Sequence, residues 1–223
     1  MLCIDFDGTI VERDISSQLL ERYGKPGWQE FRQEYLAGRM TVEQYSQAAI
    51  DLLEGSAEEI AAYAVEIAEP RDGFLELLDF AQWFDWIPVV LSSGWDLYID
   101  PILDKIGADR VTRHTGRARF AYRWRVRYLS PRGIELADSF KLSYVASYIE
   151  QGDFVTYVGD GPSDIAPAKM AHAVFGRGAL LEALEGTHDR VFPYETFHDI
   201  VSILHRDGDA WLRSFSSTTA GAD

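Results

Sequence analysis

The chain has 223 residues, 47% of them hydrophobic, and its 36 acidic and 21 basic side chains give a formal charge of −15. This composition excludes general disorder and fits one domain, or a core domain with a small accessory one. The charge argues against attraction of the whole surface to nucleic acid or to an anionic membrane.

Cysteine content and hydropathy exclude further classes. Cys3 is the single cysteine, so no internal disulfide can form, and no cysteine–histidine cluster has zinc-site spacing. No stretch approaches the roughly 20 apolar residues of a membrane span. We therefore expect a cytoplasmic protein, with the small polar segment 214–223 as a flexible tail.

Three short apolar runs predict buried strands of a parallel sheet. They cover residues 2–6, 87–93 and 154–160, and each ends in small or acidic residues. Helical patterns alternate with them near 74–84, 96–106, 138–150, 163–171 and 195–205. This alternation predicts a layered α/β fold.

Residues 12–70 interrupt the alternation with helical patterns only, near 15–23, 28–37, 42–53 and 57–68. Two of these helices begin with capping boxes, Thr41 with Gln44 and Ser56 with Glu59. Because the block follows the carboxyl end of the first strand, we expect it to lie over the edge where open α/β sheets bind ligands.

Residues 116–128 alternate arginine with apolar or aromatic side chains, and positions 117, 119, 123, 125 and 127 are all arginine. A period of two predicts an arginine-rich hairpin, within 110–132, with one apolar and one guanidinium face. One interpretation is a hairpin that covers the core with a solvated outer face. The alternative is an arginine surface for an anionic substrate, an acidic partner or another subunit.

Two carboxylates follow the first predicted strand directly, in the run Asp5-Phe6-Asp7-Gly8-Thr9. Side chains two positions apart in extended backbone point to the same side. Like charges at such a short distance need a cation or a shared proton to offset their repulsion. On its own the pattern also fits an ordinary turn at a strand end, with Gly8 permitting the reversal.

The other two strands also end in polar groups. Ser92-Ser93-Gly94 follows the second strand, where hydroxyls and amides before a helix form an anion-binding nest. Asp160 and Asp164 surround a tight turn after the third strand, and Lys141 begins the helix before it. We expect these groups to converge where parallel strands end, and their oxygen ligands suit Mg²⁺ rather than zinc.

In chain order, DFDGT, the serine after the second strand, the lysine and GDGxSD resemble the four motifs of the haloacid dehalogenase-like phosphohydrolases. The resemblance covers nearly the whole chain. It implies a Rossmann-like parallel sheet flanked by helices, formed by residues 1–11 and 71–213. Residues 12–70 would be a small helical cap of the C1 type, as in the phosphoserine-phosphatase-like branch.

The resemblance also implies catalytic roles. Asp5 would be the nucleophile that becomes an aspartyl phosphate, and Asp7 would act as general acid and then as general base. Ser92 and Lys141 would bind the phosphoryl oxygens. Since a halide leaves without a proton and an alkoxide does not, an acid at Asp7 favours a phosphatase over a dehalogenase.

Two binding sets complete the expected site. Residues expected beside the phosphate or the rest of the substrate are Phe6, Ser92, Ser93, Gly94, Trp95, Asp96, Tyr98 and Lys141. Residues expected to hold Mg²⁺ are Asp5, Asp7 through its carbonyl, Asp160 and Asp164, the last as a direct or an indirect ligand. Packing at a helix start is the alternative role of Trp95, Asp96 and Tyr98.

The expected substrate is a small phosphorylated metabolite. Phosphoserine phosphatases bind serine with a cap acid and a cap arginine; Asp14 falls near the acid position, but alanine stands at the arginine position, Ala48 or Ala49. This departure counts against phosphoserine, unless Arg39 or a hairpin arginine substitutes. A phosphocholine-type substrate is a further alternative.

Four segments resemble 2-hydroxy-3-keto-5-methylthiopentenyl-1-phosphate phosphatases of methionine salvage in order and spacing: GWQEFRQEYLAGRMTVEQ, RDGF, VLSSGWDLYIDPIL and FPYETFHDI. The run SSG in place of that group's SGG, and the arginine-rich hairpin, depart from its pattern. The likeness therefore indicates this substrate or a related compound.

A phosphotransferase or mutase, and a non-catalytic binding protein on the same fold, are the alternatives from other classes. The sequence predicts neither a nucleic-acid nor a membrane partner, and it does not indicate the oligomeric state. Residues 110–132 contain eight arginines and no acid, whereas residues 12–70 hold 12 acids against 5 bases. An anionic substrate would therefore be captured at short range by the metal, Lys141 and the nest.

Overall fold

A computed structural model describes residues 1–219 of the chain. Within them the fold is α/β, as expected, with one mixed sheet flanked by helices. The strands of this described part are β1 Leu2–Ile4, β2 Pro88–Trp95, β3 Thr112–Ala121, β4 Arg123–Leu129, β5 Glu135–Leu136, β6 Thr156–Gly159, β7 Ala173–Gly176 and β8 Val191–Pro193. The helices of the core are α5 Phe74–Trp83, α6 Asp96–Ile106, α7 Phe140–Glu150, α8 Ile165–Met170, α9 Gly178–Leu184, α10 Phe197–Ile203 and α11 Asp209–Thr219.

The strand order β5-β4-β3-β2-β1-β6-β7-β8 places β1 at the centre of the sheet. β1 pairs in parallel with β2 on one side, where Cys3 is level with Val89, and with β6 on the other, where Cys3 is level with Tyr157. The three strands expected to carry the site are therefore direct neighbours, and their carboxyl ends lie at one edge of the sheet. All three residues of β1 are fully buried, which fits its continuous apolar sequence.

Four helices stand between β1 and α5, and we call residues 12–70 the helical insertion. They are α1 Ile15–Tyr23, α2 Trp28–Leu36, α3 Val42–Ile50 and α4 Ala57–Ile67. Both expected capping boxes are present, at the starts of α3 and α4. The two ends of the insertion meet, since the N–H of Glu12 donates to the carbonyl of Glu69 at 2.9 Å.

Arg71 ties this junction to the turn after β1. Its guanidinium is buried and donates to the carbonyls of Gly8 and Thr9, both at 2.8 Å, and it pairs with Glu12 at 2.9 Å. A buried guanidinium requires such a full set of acceptors, and Arg71 thereby fixes the backbone where the insertion leaves the core.

The predicted hairpin is present as β3 and β4, with Tyr122 at its tip. Arg117 lies opposite Arg127 and Arg119 opposite Arg125, so the arginines share one face, as expected. Trp124 on the other face is buried, but Phe120 is 63% exposed, so the expected apolar face does not reach the tip. We call the five arginines of this face the arginine ladder: Arg117, Arg119, Arg123, Arg125 and Arg127.

Two further features differ from the expectations. β7, α9 and β8 were not predicted. Residues 214–219 of the expected flexible tail continue α11, and residues 220–223 lie outside the described part of the chain. Over residues 1–219, no helix combines the length and apolar character needed to cross a bilayer.

Candidate active site

The turn after β1 is shaped by Gly8. The N–H of Asp5 donates to the carbonyl of Val158 at 2.9 Å, which fixes the end of β1 against β6. Gly8 has a φ of 75°, and a Cβ at this position would overlap the carboxylate of Asp160. A glycine is therefore needed both for the backbone conformation and for the approach of Asp160.

Three carboxylates meet beyond these strand ends, and we call them the carboxylate cluster. One oxygen each of Asp5, Asp160 and Asp164 lies within 4.8 Å of the others. The ammonium of Lys141 bridges two of them, at 2.7 Å from Asp5 Oδ1 and 2.7 Å from Asp164 Oδ1. Lys141, Asp5 and Asp164 are buried, so this pairing offsets a repulsion that water does not screen.

Asp164 is held by protein donors on both oxygens. Its Oδ1 accepts from Lys141 and from the hydroxyl of Tyr157 at 2.7 Å, and its Oδ2 accepts from the N–H groups of Asp160 and Gly161 at 3.2 and 3.0 Å. Asp5 and Asp160 have fewer such partners. The donor set fits a hard divalent cation, with Asp5 and Asp160 better placed than Asp164 to contact it directly.

Burial and mutual repulsion shift the pKa values of the cluster. Burial and the neighbouring Asp164 raise the pKa of Asp5 well above its ordinary value and that of Asp160 to about 6. Burial opposes ionisation of Asp164 too, but Lys141 keeps the pKa of Asp164 below its ordinary value. One ammonium thus compensates part of the cluster, and a divalent cation would compensate the rest.

The carboxylate of Asp7 lies outside this cluster. Its Oδ1 accepts from the N–H of Ile15 in the first turn of α1 at 2.8 Å, and its Oδ2 accepts from the hydroxyl of Tyr98 in α6. Burial, followed by the charge of Asp14, raises the pKa of Asp7 to about 8. A carboxyl group with this pKa holds a proton at neutral pH, as a general acid must.

The end of β2 supplies hydroxyl groups. The Oγ of Ser92 accepts from the N–H of Gly94 at 3.0 Å, and the buried Oγ of Ser93 has no hydrogen-bond partner among the described residues. Both serines line the same cavity as Asp5 and Lys141. The side chain of Phe6 is fully buried, which leaves its main chain as the part suited to phosphate.

This cavity has a volume of about 340 Å³ and lies between the strand ends and the helical insertion. Its core wall carries the expected catalytic groups, Asp5, Asp7, Ser92 and Lys141, and also Asp160. A cavity of this size accommodates a small metabolite.

Asp96 corrects one expectation. It does not line the cavity, because its carboxylate accepts from the N–H of Ala118 at 2.7 Å and from the guanidinium of Arg119 at 3.1 Å. Asp96 therefore anchors the hairpin, and its carboxylate is engaged there and not at the cavity wall. Trp95 does line the cavity, whereas Tyr98 lies behind Asp7.

Arg32 lines the cavity and was missed by sequence reasoning. It shares one face of α2 with Tyr35 and Leu36, which also line the cavity, and it has no ion pair within residues 1–219. Arg39, the expected substitute cation, instead pairs with Glu34 at 2.6 Å on the exposed surface. Arg32 precedes Tyr35 and Leu36 by three and four residues, and this helical spacing was the available signal that the three share a face.

A chain of hydrogen bonds, all 2.6 Å long, joins the insertion to the end of β2. The indole N–H of Trp95 donates to the Oγ of Ser46 in α3, and the hydroxyls of Ser46 and Tyr128 contact each other. Tyr128 then donates to the carbonyl of Ser93. We call this the hydroxyl chain; it was not predicted, because its members come from three separate segments.

Curated relatives resemble this protein over most of its length. The 2-hydroxy-3-keto-5-methylthiopentenyl-1-phosphate phosphatase of Bacillus thuringiensis (strain Al Hakam) is 27% identical over 209 residues, covering 90% of this chain and 93% of the relative. The corresponding phosphatase of Bacillus cereus (strain 03BB102) is 26% identical over the same length and coverage.

Solved structures resemble the fold. A substrate-bound phosphoserine phosphatase superposes with a TM-score of 0.67 at 18% identity, covering 90% of this chain and 96% of that one. A phospho-aspartyl intermediate analogue of phosphoserine phosphatase gives a TM-score of 0.65 at the same identity and coverage.

The family itself follows from a match that includes all four motifs. Residues 2–169 match the family described as haloacid dehalogenase-like hydrolase, and this match extends from β1 into α8. The chain belongs to the haloacid dehalogenase-like hydrolase family.

Proposed function

We propose that this protein is a Mg²⁺-dependent phosphomonoester hydrolase that acts on a small phosphorylated metabolite through an aspartyl phosphate on Asp5. The observation that carries the proposal is that one cavity is lined by two carboxyl groups with different surroundings. Asp5 is held by Lys141 beside Asp160, whereas Asp7 accepts hydrogen bonds from Ile15 and Tyr98, and burial raises its pKa to about 8. A nucleophile and an acid require these two different environments.

In the first half-reaction, a carboxylate oxygen of Asp5 attacks phosphorus. The bond from phosphorus to the ester oxygen breaks, and Asp7 gives its proton to that oxygen so that the product leaves as an alcohol or enol. Lys141, Ser92 and Ser93 line the same cavity and would neutralise or bind the equatorial phosphoryl oxygens.

In the second half-reaction, water attacks phosphorus and the bond to Asp5 breaks, which releases phosphate. Asp7, now a carboxylate, accepts the proton of the water. Mg²⁺ would be held by Asp5, Asp160 and the carbonyl of Asp7, and Asp164 would contact it less directly. The bound cation would supply positive charge for the phosphoryl oxygens.

The non-phosphate end of the substrate would meet the insertion. Arg32 and Asp14 line the same cavity, so a substrate with polar groups away from its phosphate is favoured. The resemblance to the Bacillus relatives makes 2-hydroxy-3-keto-5-methylthiopentenyl-1-phosphate, or a related enol phosphate, our first candidate. Because Arg32 supplies a cation that the alanines at positions 48 and 49 do not, phosphoserine is the second.

A panel of phosphate esters with metal-loaded protein tests both candidates. We expect the highest kcat/KM with the enol phosphate, and lower values with phosphoserine and phosphocholine. Arg32→Gln should raise KM for the preferred ester. Arg39→Gln, the matched control on the exposed surface, should leave KM unchanged. Failure of the wild-type protein to hydrolyse every ester, p-nitrophenyl phosphate included, would refute the proposed function.

A further inference from the structure

Tyr98 is a fully buried residue of α6 whose only polar side-chain atom contacts Asp7. Its hydroxyl donates to Asp7 Oδ2, while Asp7 Oδ1 is occupied by the N–H of Ile15. Tyr98 does not line the cavity, so it reaches the reacting atoms only through Asp7. The carboxyl group of Asp7 is therefore held by two donors, one from the core and one from the insertion.

The ring of Tyr98 is fixed from two sides. Trp95 packs edge-on against it with ring centroids 5.9 Å apart, and Phe6 packs at a tilt with centroids 6.1 Å apart. A Cβ at Gly94 would overlap the tyrosine hydroxyl and would lie 2.9 Å from Asp7 Oδ2. The absence of a side chain at Gly94 thus provides the space in which the hydroxyl and the carboxyl group meet.

We propose that Tyr98 is a positioning residue that holds the carboxyl group of Asp7 toward the leaving oxygen of the phosphate ester. This inference rests on the proposed function, because it assigns Tyr98 a task in the proton transfer of Asp7. Without the hydroxyl, Oδ2 loses its fixed donor and Asp7 keeps only the bond from Ile15. A misplaced acid slows only those steps in which it must deliver a proton.

Esters with different leaving groups separate this role from a structural one. p-Nitrophenolate leaves without a proton, whereas an alkoxide needs one. We expect Tyr98→Phe to lower kcat/KM for an alkyl phosphate by at least about 10-fold more than for p-nitrophenyl phosphate. The ratio of the two kcat/KM values is the readout, because kcat/KM reports the steps up to release of the leaving group.

Two comparison variants calibrate the ratio. Asp7→Asn sets the full effect of losing the acid, and Tyr148→Phe, which removes a hydroxyl 3.2 Å from His114 Nε2, controls for deletion of a phenol oxygen at a half-buried tyrosine away from the cavity. In the Asp7→Asn background, Tyr98→Phe should have no further effect on the ratio, since the two residues act as one unit.

An unchanged ratio in folded Tyr98→Phe, or an equal loss with both esters, would overturn the role of Tyr98. If Tyr98→Phe does not fold, Tyr98→Met is the second variant, because it also lacks the hydroxyl but keeps a long apolar side chain, and an unchanged ratio in that folded variant would overturn the role. Wild-type protein that cleaves neither ester would instead refute the proposed function.

Discussion

The carboxylate cluster and the arginine ladder both hold like charges close together, but they do so in opposite surroundings. Asp5 and Asp164 are buried and share one internal ammonium, Lys141. The ladder places Arg117 opposite Arg127 and Arg119 opposite Arg125 on a solvated face.

The difference shows what burial does to a charge. In the ladder, water screens the repulsion, and scattered ion pairs such as Arg123–Asp51 at 2.9 Å and Arg127–Glu135 at 2.8 Å are sufficient. In the cluster, each carboxylate depends on a specific partner, because little solvent is available to replace it. Substitutions should therefore have large effects in the cluster and small ones in the ladder.

The largest expected effect is on catalysis, at Asp5. Asp5→Asn removes the oxygen nucleophile, and we expect turnover of p-nitrophenyl phosphate to fall by about 10⁴-fold or more. The variant should remain folded, because one of several crowded carboxylates becomes neutral. Turnover at the wild-type rate in purified Asp5→Asn would exclude the covalent mechanism.

Lys141→Ala tests the cluster through stability. It leaves Asp5 and Asp164 buried without their common cation, and we expect a loss of about 3–5 kcal/mol in the free energy of unfolding. Chemical denaturation measures this loss, and turnover should fall with it. Lys105→Ala, at an exposed lysine near the end of α6, is the control, and equal stability of both variants would contradict this account.

Removal of divalent cations is expected to lower stability less than Lys141→Ala does, but to abolish activity. A chelator should abolish hydrolysis, and added Mg²⁺ should restore it. At a Mg²⁺ concentration about 100 times its Kd, the bound ion would add about 2.7 kcal/mol to the free energy of unfolding. Full activity after exhaustive chelation would rule out a required metal.

The smallest expected effect is at Arg125, for which no ion pair is found within residues 1–219. Arg125→Gln also relieves the cross-strand repulsion with Arg119. We expect the free energy of unfolding to change by less than about 0.5 kcal/mol and hydrolysis to stay unchanged. A loss as large as that in Lys141→Ala would show that the ladder is part of the folded core.

Much of the site was predictable, because three of the four motifs stand at the end of an apolar strand. Asp5, Ser92 and Asp160 come together simply because β2, β1 and β6 are neighbours in a parallel sheet. The capping boxes of α3 and α4 are also local patterns, with donor and acceptor only three residues apart.

What escaped prediction depends on contacts between distant segments. Asp96 was expected to contact substrate, but the hairpin that it anchors is 22 residues away along the chain. Arg32 was overlooked because its spacing to Tyr35 and Leu36 marks one face of α2 but does not show that this face meets the cavity. β7 and β8 are as short as β6 and β1, with four and three residues, but no aspartate follows them directly to mark the end of a strand.

Displacement of the helical insertion would be linked to hydration by the hydroxyl chain. If Ser46 left the core, Trp95 and Tyr128 would each lose a hydrogen-bond partner. Tyr128 is also the donor to the carbonyl of Ser93. Water molecules would have to enter and take over these bonds as α3 separates. Exchange of a bound molecule through that route would therefore be coupled to wetting of the end of β2.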